Sequence, residues 1–79
     1  MVTVLFFGPV ADRVGVGRLD VEFHAGMCLQ DVFSGLQPQY PEAFGLVSLA
    51  AVNGAHATDM SLTLTDNCEV VFMSKFSGG

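Results

Sequence analysis

One stretch of this chain, "CLQDVFSGL" from Cys28 to Leu36, carries a helical stripe, and strand-like segments stand on either side of it. Leu29, Val32, Phe33 and Leu36 recur at i, i+3, i+4 and i+7, which lines one side of an α-helix with apolar groups. Asp31 lies in the first turn, where a negative charge suits the helix dipole. Gly35 weakens the far end, and Pro38 stops the helix near Gln37. In a chain of 79 residues a single such helix covers one face of a sheet and no more. The expected class is α+β, a mixed sheet packed on one main helix.

The sheet is legible from period and punctuation. "VTVLFF" (Val2 to Phe7) is dense in β-branched and aromatic residues and is stopped by Gly8-Pro9, so it reads as a strand. "ADRVGVG" then reads as a turn region. "RLDVEFH" alternates, with Leu19, Val21 and Phe23 on one face and Asp20, Glu22 and His24 on the other, as in a half-buried strand. These two strands pair as a hairpin. "PQYPEAFGL" carries two prolines and reads as irregular, with room for a short helical turn. "SLAAVNG" is a strand running into a tight turn at Asn53-Gly54. A short strand, a polar turn at Thr65-Asp66-Asn67 and a final strand "EVVFM" follow.

Strand alternation has a consequence for function. If Val2, Val4 and Phe6 face the helix, Leu5 and Phe7 face the other way. In the last strand, Val70 and Phe72 point inward, and Val71 and Met73 point outward. With one helix available, Leu5, Phe7, Val71 and Met73 form an apolar patch on the uncovered face, a candidate docking surface. The alternative is that strand twist and the loop from Tyr40 to Leu46 hide them.

Charge narrows the partners. The net charge is −5, with Arg13, Arg18 and Lys75 as the only basic residues besides two histidines. Nucleic acid and anionic membrane both call for clustered Lys and Arg, so neither is expected as a partner. A basic protein partner suits the balance. No apolar run is long enough to span a bilayer, and the apolar N-terminus lacks the basic flank of a signal peptide. A cytoplasmic location is expected. Cys28 and Cys68 stand outside any CxxC pair, and no nearby His completes a zinc spacing, so no metal site is expected. Two reduced thiols fit a cytosolic protein better than one disulfide.

The final residues are "MSKFSGG". Together with "VTVLFFGPVADRVG", "SLAAVNG" and "LTDNCEVVFM", in that order and at that spacing to the last residue, they resemble the small subunits of molybdopterin synthase. In those ubiquitin-like sulfur carriers the chain opens with a V-L-F-F strand. An A-V-N strand precedes a turn, and L-x-D-G-D-E-V leads into the last strand and a Gly-Gly end. The resemblance covers most of the chain and is weakest in the helix and around Tyr40. Ser74-Lys75 stand where members often carry proline, and "DNCEV" replaces "DGDEV", which leaves the pathway open between relatives.

The resemblance implies a β-grasp body over residues 1–73 and a C-terminal tail over 74–79. It makes the carboxylate of Gly79 the working group. A carboxylate resists nucleophiles until its oxygen becomes a good leaving group, as in an acyl-adenylate. The implied partner for that step is a ubiquitin-activating-like adenylating enzyme, which uses ATP with magnesium; the chain itself is expected to bind no cofactor. A desulfurase or rhodanese then supplies sulfur, giving a thiocarboxylate. The large subunit of molybdopterin synthase, which holds the catalytic groups, uses it to sulfurate a cyclic pterin.

Gly78 and Gly79 suit a narrow tunnel because they carry no side chain and adopt any φ/ψ. Lys75 either pairs with an acid at the tunnel mouth or stays solvated. Phe76 either grips a partner's apolar groove or packs back on its own domain. The thiamine-pathway sulfur carrier and a ubiquitin-like modifier joined through Gly79 are the alternatives. His24, His56 and Cys68 are expected to be bystanders.

Overall fold

Alternation along β1 (Val2–Phe6) sets the centre of the fold. In the computed structural model, which describes residues 1–74, Val2, Val4 and Phe6 are buried while Thr3 and Leu5 are half-buried. β2 (Arg18–Val21) lies antiparallel beside β1, with Val4 opposite Leu19. β5 (Glu69–Met73) lies parallel on the other side, with Phe6 opposite Phe72. β3 (Leu49–Val52) and the two-residue β4 (Ala55–His56) complete a five-stranded sheet in the order β2-β1-β5-β3-β4. This is the mixed β-grasp sheet expected from the sequence.

Three helices pack on the inner face. The helix predicted at Cys28–Leu36 is present as α2 (Leu29–Leu36), and Leu29, Val32 and Leu36 are buried in the core. Asp31 does more than complement the dipole. Its carboxylate accepts the Cys28 N–H at 2.9 Å, satisfying a donor that the helix start leaves unpaired. α3 (Pro41–Leu46) is the short helical turn allowed for around Tyr40, and it buries Ala43 and Phe44.

The remaining helix corrects the sequence expectation. α1 (Gly8–Val14) occupies most of the segment read as a turn. Gly8-Pro9 does end the strand, but proline also fits the first turn of a helix, where its missing N–H costs nothing. Val10 is then buried, and Ala11 and Val14 pack against the core, so burial decides for helix in spite of the two following glycines. Gly15, at φ 94°, closes α1 with its N–H on the Ala11 carbonyl at 2.8 Å. β2 is shorter than the alternation suggests, ending at Val21, although Phe23 still packs on the core.

The Asn53-Gly54 turn is as predicted. Both residues have positive φ, 50° and 83°, which the right-handed twist of a tight hairpin requires. The Asn53 side chain also accepts the Glu69 N–H at 2.9 Å, tying the turn to the start of β5. At the core, four phenyl rings meet. Phe72 stands 5.3 Å from Phe44 and 6.0 Å from Phe33 in edge-on contacts, and 6.4 Å from Phe6 in a stacked one.

Candidate functional site

The site is built from the side of the sheet that the helices leave uncovered. The pairing register puts Leu5 of β1 beside Val71 of β5, and Val71 beside Ala51 of β3. Neither Val71 nor Ala51 belongs to the core cluster beneath the helices, so this row faces the other way. One step along, Met73 stands opposite Leu49. Phe7 follows β1 in extended conformation at the same end of the sheet, and its ring is half exposed at 50%. The face is thus apolar at the end where β5 leads toward the C-terminus.

Its opposite end is polar. Thr3 lies between Asp20 and Glu69 in one register row, and Arg18 sits beside Leu5. Arg18 reaches Asp20 at 3.4 Å on the surface, a pair of small energetic weight. A partner docking here would meet apolar groups near the tail and carboxylates further away.

The four face residues do not contribute equally. Phe7 is exposed, Leu5 and Met73 are half-buried, and Val71 is only 8% exposed, so the sequence overstated its openness. Val71 lies on a central strand, flanked on its own face by Leu5 and Ala51. Leu49 and Ala51 are members of the face that the sequence reading passed over. The alternation in "SLAAV" carries the signal, because Leu49 and Ala51 sit two apart. Ser74, assigned to the tail from sequence, is buried. Lys75, Phe76, Gly78 and Gly79 lie outside the described residues.

Cys68 is buried, and its carbonyl accepts the Thr3 N–H at 3.0 Å. Cys28 precedes α2, and both thiols are free. His24 is a loop residue and His56 an edge-strand residue opposite Ala51. Among the described residues no group of three His, Cys, Asp or Glu could hold a metal ion, and no helix is long and apolar enough to cross a membrane.

The model of the ThiS family matches residues 4–79, nearly the whole chain and both terminal glycines. The chain belongs to the ThiS family. Among curated proteins none matches this ThiS-family chain. Solved structures share its fold at low identity. SAMP1 of Haloferax volcanii superimposes with a TM-score of 0.82 at 17% identity, over 99% of this chain and 98% of the other. The small archaeal modifier protein 1 of Methanosarcina acetivorans gives 0.79 at 20% identity, over 99% and 95%. A chain from the complex of subunits 1 and 2 of the Helicobacter pylori molybdopterin-converting factor gives 0.74 at 21%, over 99% and 97%. These likenesses establish the β-grasp body.

Proposed function

We propose that this ThiS-family chain is a sulfur carrier whose Gly79 carboxylate is adenylated, converted to a thiocarboxylate, and used to sulfurate a cyclic pterin in molybdopterin synthesis. The observation that carries this reading is the family match running through Gly78-Gly79 on a β-grasp body. In the activating step a Gly79 oxygen attacks the α-phosphorus of ATP and pyrophosphate leaves. Hydrosulfide then adds to the acyl carbon, AMP departs, and the thioacid loses a proton to become the thiocarboxylate. Where a donor protein's persulfide attacks instead, AMP departs to leave an acyl disulfide. A thiol reductant cleaves its S–S bond, releasing the thiocarboxylate and leaving the donor sulfur in a mixed disulfide with that thiol. At the acceptor, the thiocarboxylate sulfur attacks a carbon of the cyclic pterin and displaces an oxygen leaving group from it. Hydrolysis of the acyl–sulfur bond then returns the Gly79 carboxylate and leaves the sulfur on the pterin as a thiolate.

The chain supplies no acid or base to these steps. It contributes reach, slimness and docking. Five residues follow Ser74, and extended they span roughly 16 Å at about 3.3 Å each, enough to enter a partner's site. The apolar end of the open face, with Phe7, Leu5 and Met73, is the surface that would hold the adenylating enzyme or the large synthase subunit. That subunits 1 and 2 form a complex in the Helicobacter pylori factor supports the second partner.

A second reading is favoured by the likeness to small archaeal modifier proteins, namely conjugation of Gly79 to a lysine on a target. Lys75 is the only lysine in this chain, so modifiers would be attached singly and not as lysine-linked polymers.

One experiment separates the readings. The chain is loaded with sulfur by its adenylating enzyme, ATP and a sulfur donor, then offered the cyclic pterin precursor, the thiazole precursor of thiamine, or lysine-bearing proteins. Sulfur on the pterin supports the proposal. Sulfur on the thiazole alone assigns the thiamine pathway, and isopeptide adducts alone assign the modifier.

A further inference from the structure

β2 is an edge strand whose far side is open. The sheet order β2-β1-β5-β3-β4 gives it one neighbour, β1. Just before β2, the Gly17 carbonyl accepts the Phe6 N–H at 3.0 Å. Bonding residues alternate along an antiparallel ladder, so Leu19 and Val21 turn their N–H and C=O toward β1. Arg18 and Asp20 turn theirs outward, and among the described residues no strand lies there to take them. An unpaired row of this kind is a template for one more strand.

A groove of about 320 Å³ runs beside that edge, between β2 and α2. Its apolar wall is Leu19 and Val21 from the strand, Val32 and Leu36 from the helix, and Tyr40 beyond it. Gly35 also lines the groove, and a Cβ there would meet no atom within 4 Å, so the helix surface is open where a neighbouring chain would pass. Side chains of an added strand alternate. Those on the helix side would enter the groove and meet aliphatic groups, and those on the other side would stand beside Asp20. Charge says what the second set is. Asp20 and Asp31 line the groove, the exposed Glu22 follows β2, and no lining residue is basic. Arg18 offsets Asp20 only in part, across 3.4 Å on the surface. The whole chain carries −5, so a second copy is repelled while a basic segment is drawn in.

We propose that the open edge of β2 takes up, as an added strand, an extended segment of a partner protein in which Val or Ile alternates with Lys or Arg. The aliphatic side chains seat between β2 and α2, the basic ones lie along Asp20, and the Asp20 N–H and C=O bond the incoming backbone. β1 separates β2 from β5, so this site is distinct from the apolar margin at Phe7 and Met73. It gives the chain a second partner surface, and it does not rest on the chemistry of Gly79.

The test uses the full chain and a synthetic peptide, Lys-Val-Lys-Ile-Lys-Val-Lys, followed by NMR. Amide shifts should fall on β2 and α2, around Asp20, Val32 and Gly35, and the Asp20 N–H should become protected from hydrogen exchange. The same peptide with Glu in place of Lys should bind at least about tenfold more weakly. Asp20→Pro removes the outward N–H without taking a bond from β1, and should bind severalfold more weakly than Asp20→Asn, which keeps it. Gly35→Lys puts a stem and a positive charge into the groove; it should melt no lower than wild type, since lysine suits a helix better than glycine, and lose the peptide. Shifts confined to the Phe7 margin would overturn the proposal, as would no binding, or equal binding by the Glu peptide or by Gly35→Lys. So would an Asp20 N–H that becomes protected merely on raising protein concentration, which would assign the edge to a second copy.

Discussion

Leu5 and Val71 stand opposite each other on adjacent parallel strands, both turned away from the helices, yet one is half-buried and the other almost closed. The difference follows from position in the sheet. Val71 lies in β5 with apolar neighbours on both sides, whereas Leu5 has Arg18 on its far side. The approachable part of the face is therefore its margin, above all Phe7.

Phe7→Glu tests that margin. The ring is half exposed, so the variant should fold with a melting temperature close to wild type. A charge placed where an aromatic anchor docks should weaken association with the adenylating enzyme or the large synthase subunit by at least about tenfold, or about 1.4 kcal/mol. Titration calorimetry against each partner measures it. Undiminished affinity for both would exclude Phe7 from the docking surface.

Phe72 is the ring where the core would fail. It is fully buried and touches Phe6, Phe33 and Phe44. Phe72→Ala should cost roughly 3–5 kcal/mol, most of what a domain this small has to spare. Circular dichroism should show a melt lowered by more than about 12 °C, or no cooperative melt. A shift of a few degrees would mean that the neighbouring rings close the cavity.

Acid should destabilise the fold through three carboxylates. Hydrogen bonds hold each below the ordinary Asp range: from Cys28 to Asp31, from Ser61 to Asp59, and from the N-terminal amine to Asp66. A depressed folded-state pKa contributes stability that is present above the unfolded value, near pH 4, and is lost as pH falls through the folded one. The melting temperature should accordingly decline below about pH 4. Asp31→Asn should lower the melt at neutral pH and flatten that decline. An unchanged acid profile in the variant would deny Asp31 its role at the start of α2.

Much of this was legible in the chain itself. The stripe Leu29, Val32, Phe33 and Leu36 marks α2 because nothing local competes with it, and Asn53-Gly54 marks its turn because positive φ there demands such residues. The alternation in β1 and β5 identifies the open face. α1 was hidden because Gly8-Pro9 stops a strand and starts a helix with the same chemistry, and only burial of Val10 decides between them. The degree to which Val71 is covered depends on both neighbouring strands, which no local pattern reports. The groove beside β2 joins α2, β2 and Tyr40, and is likewise a property of tertiary structure alone.

The central claim is that the reacting group is the main-chain carboxyl of Gly79. The intact mass of the chain tests it most directly, measured after incubation with the adenylating enzyme, ATP, magnesium and a sulfur donor. The account predicts a species heavier by the exchange of one oxygen for one sulfur, mapped by fragmentation to Gly79 and abolished when further residues are fused after it. A fused, uncleaved chain that still delivers sulfur to its acceptor, or sulfur found on Cys28 or Cys68 instead, would contradict it.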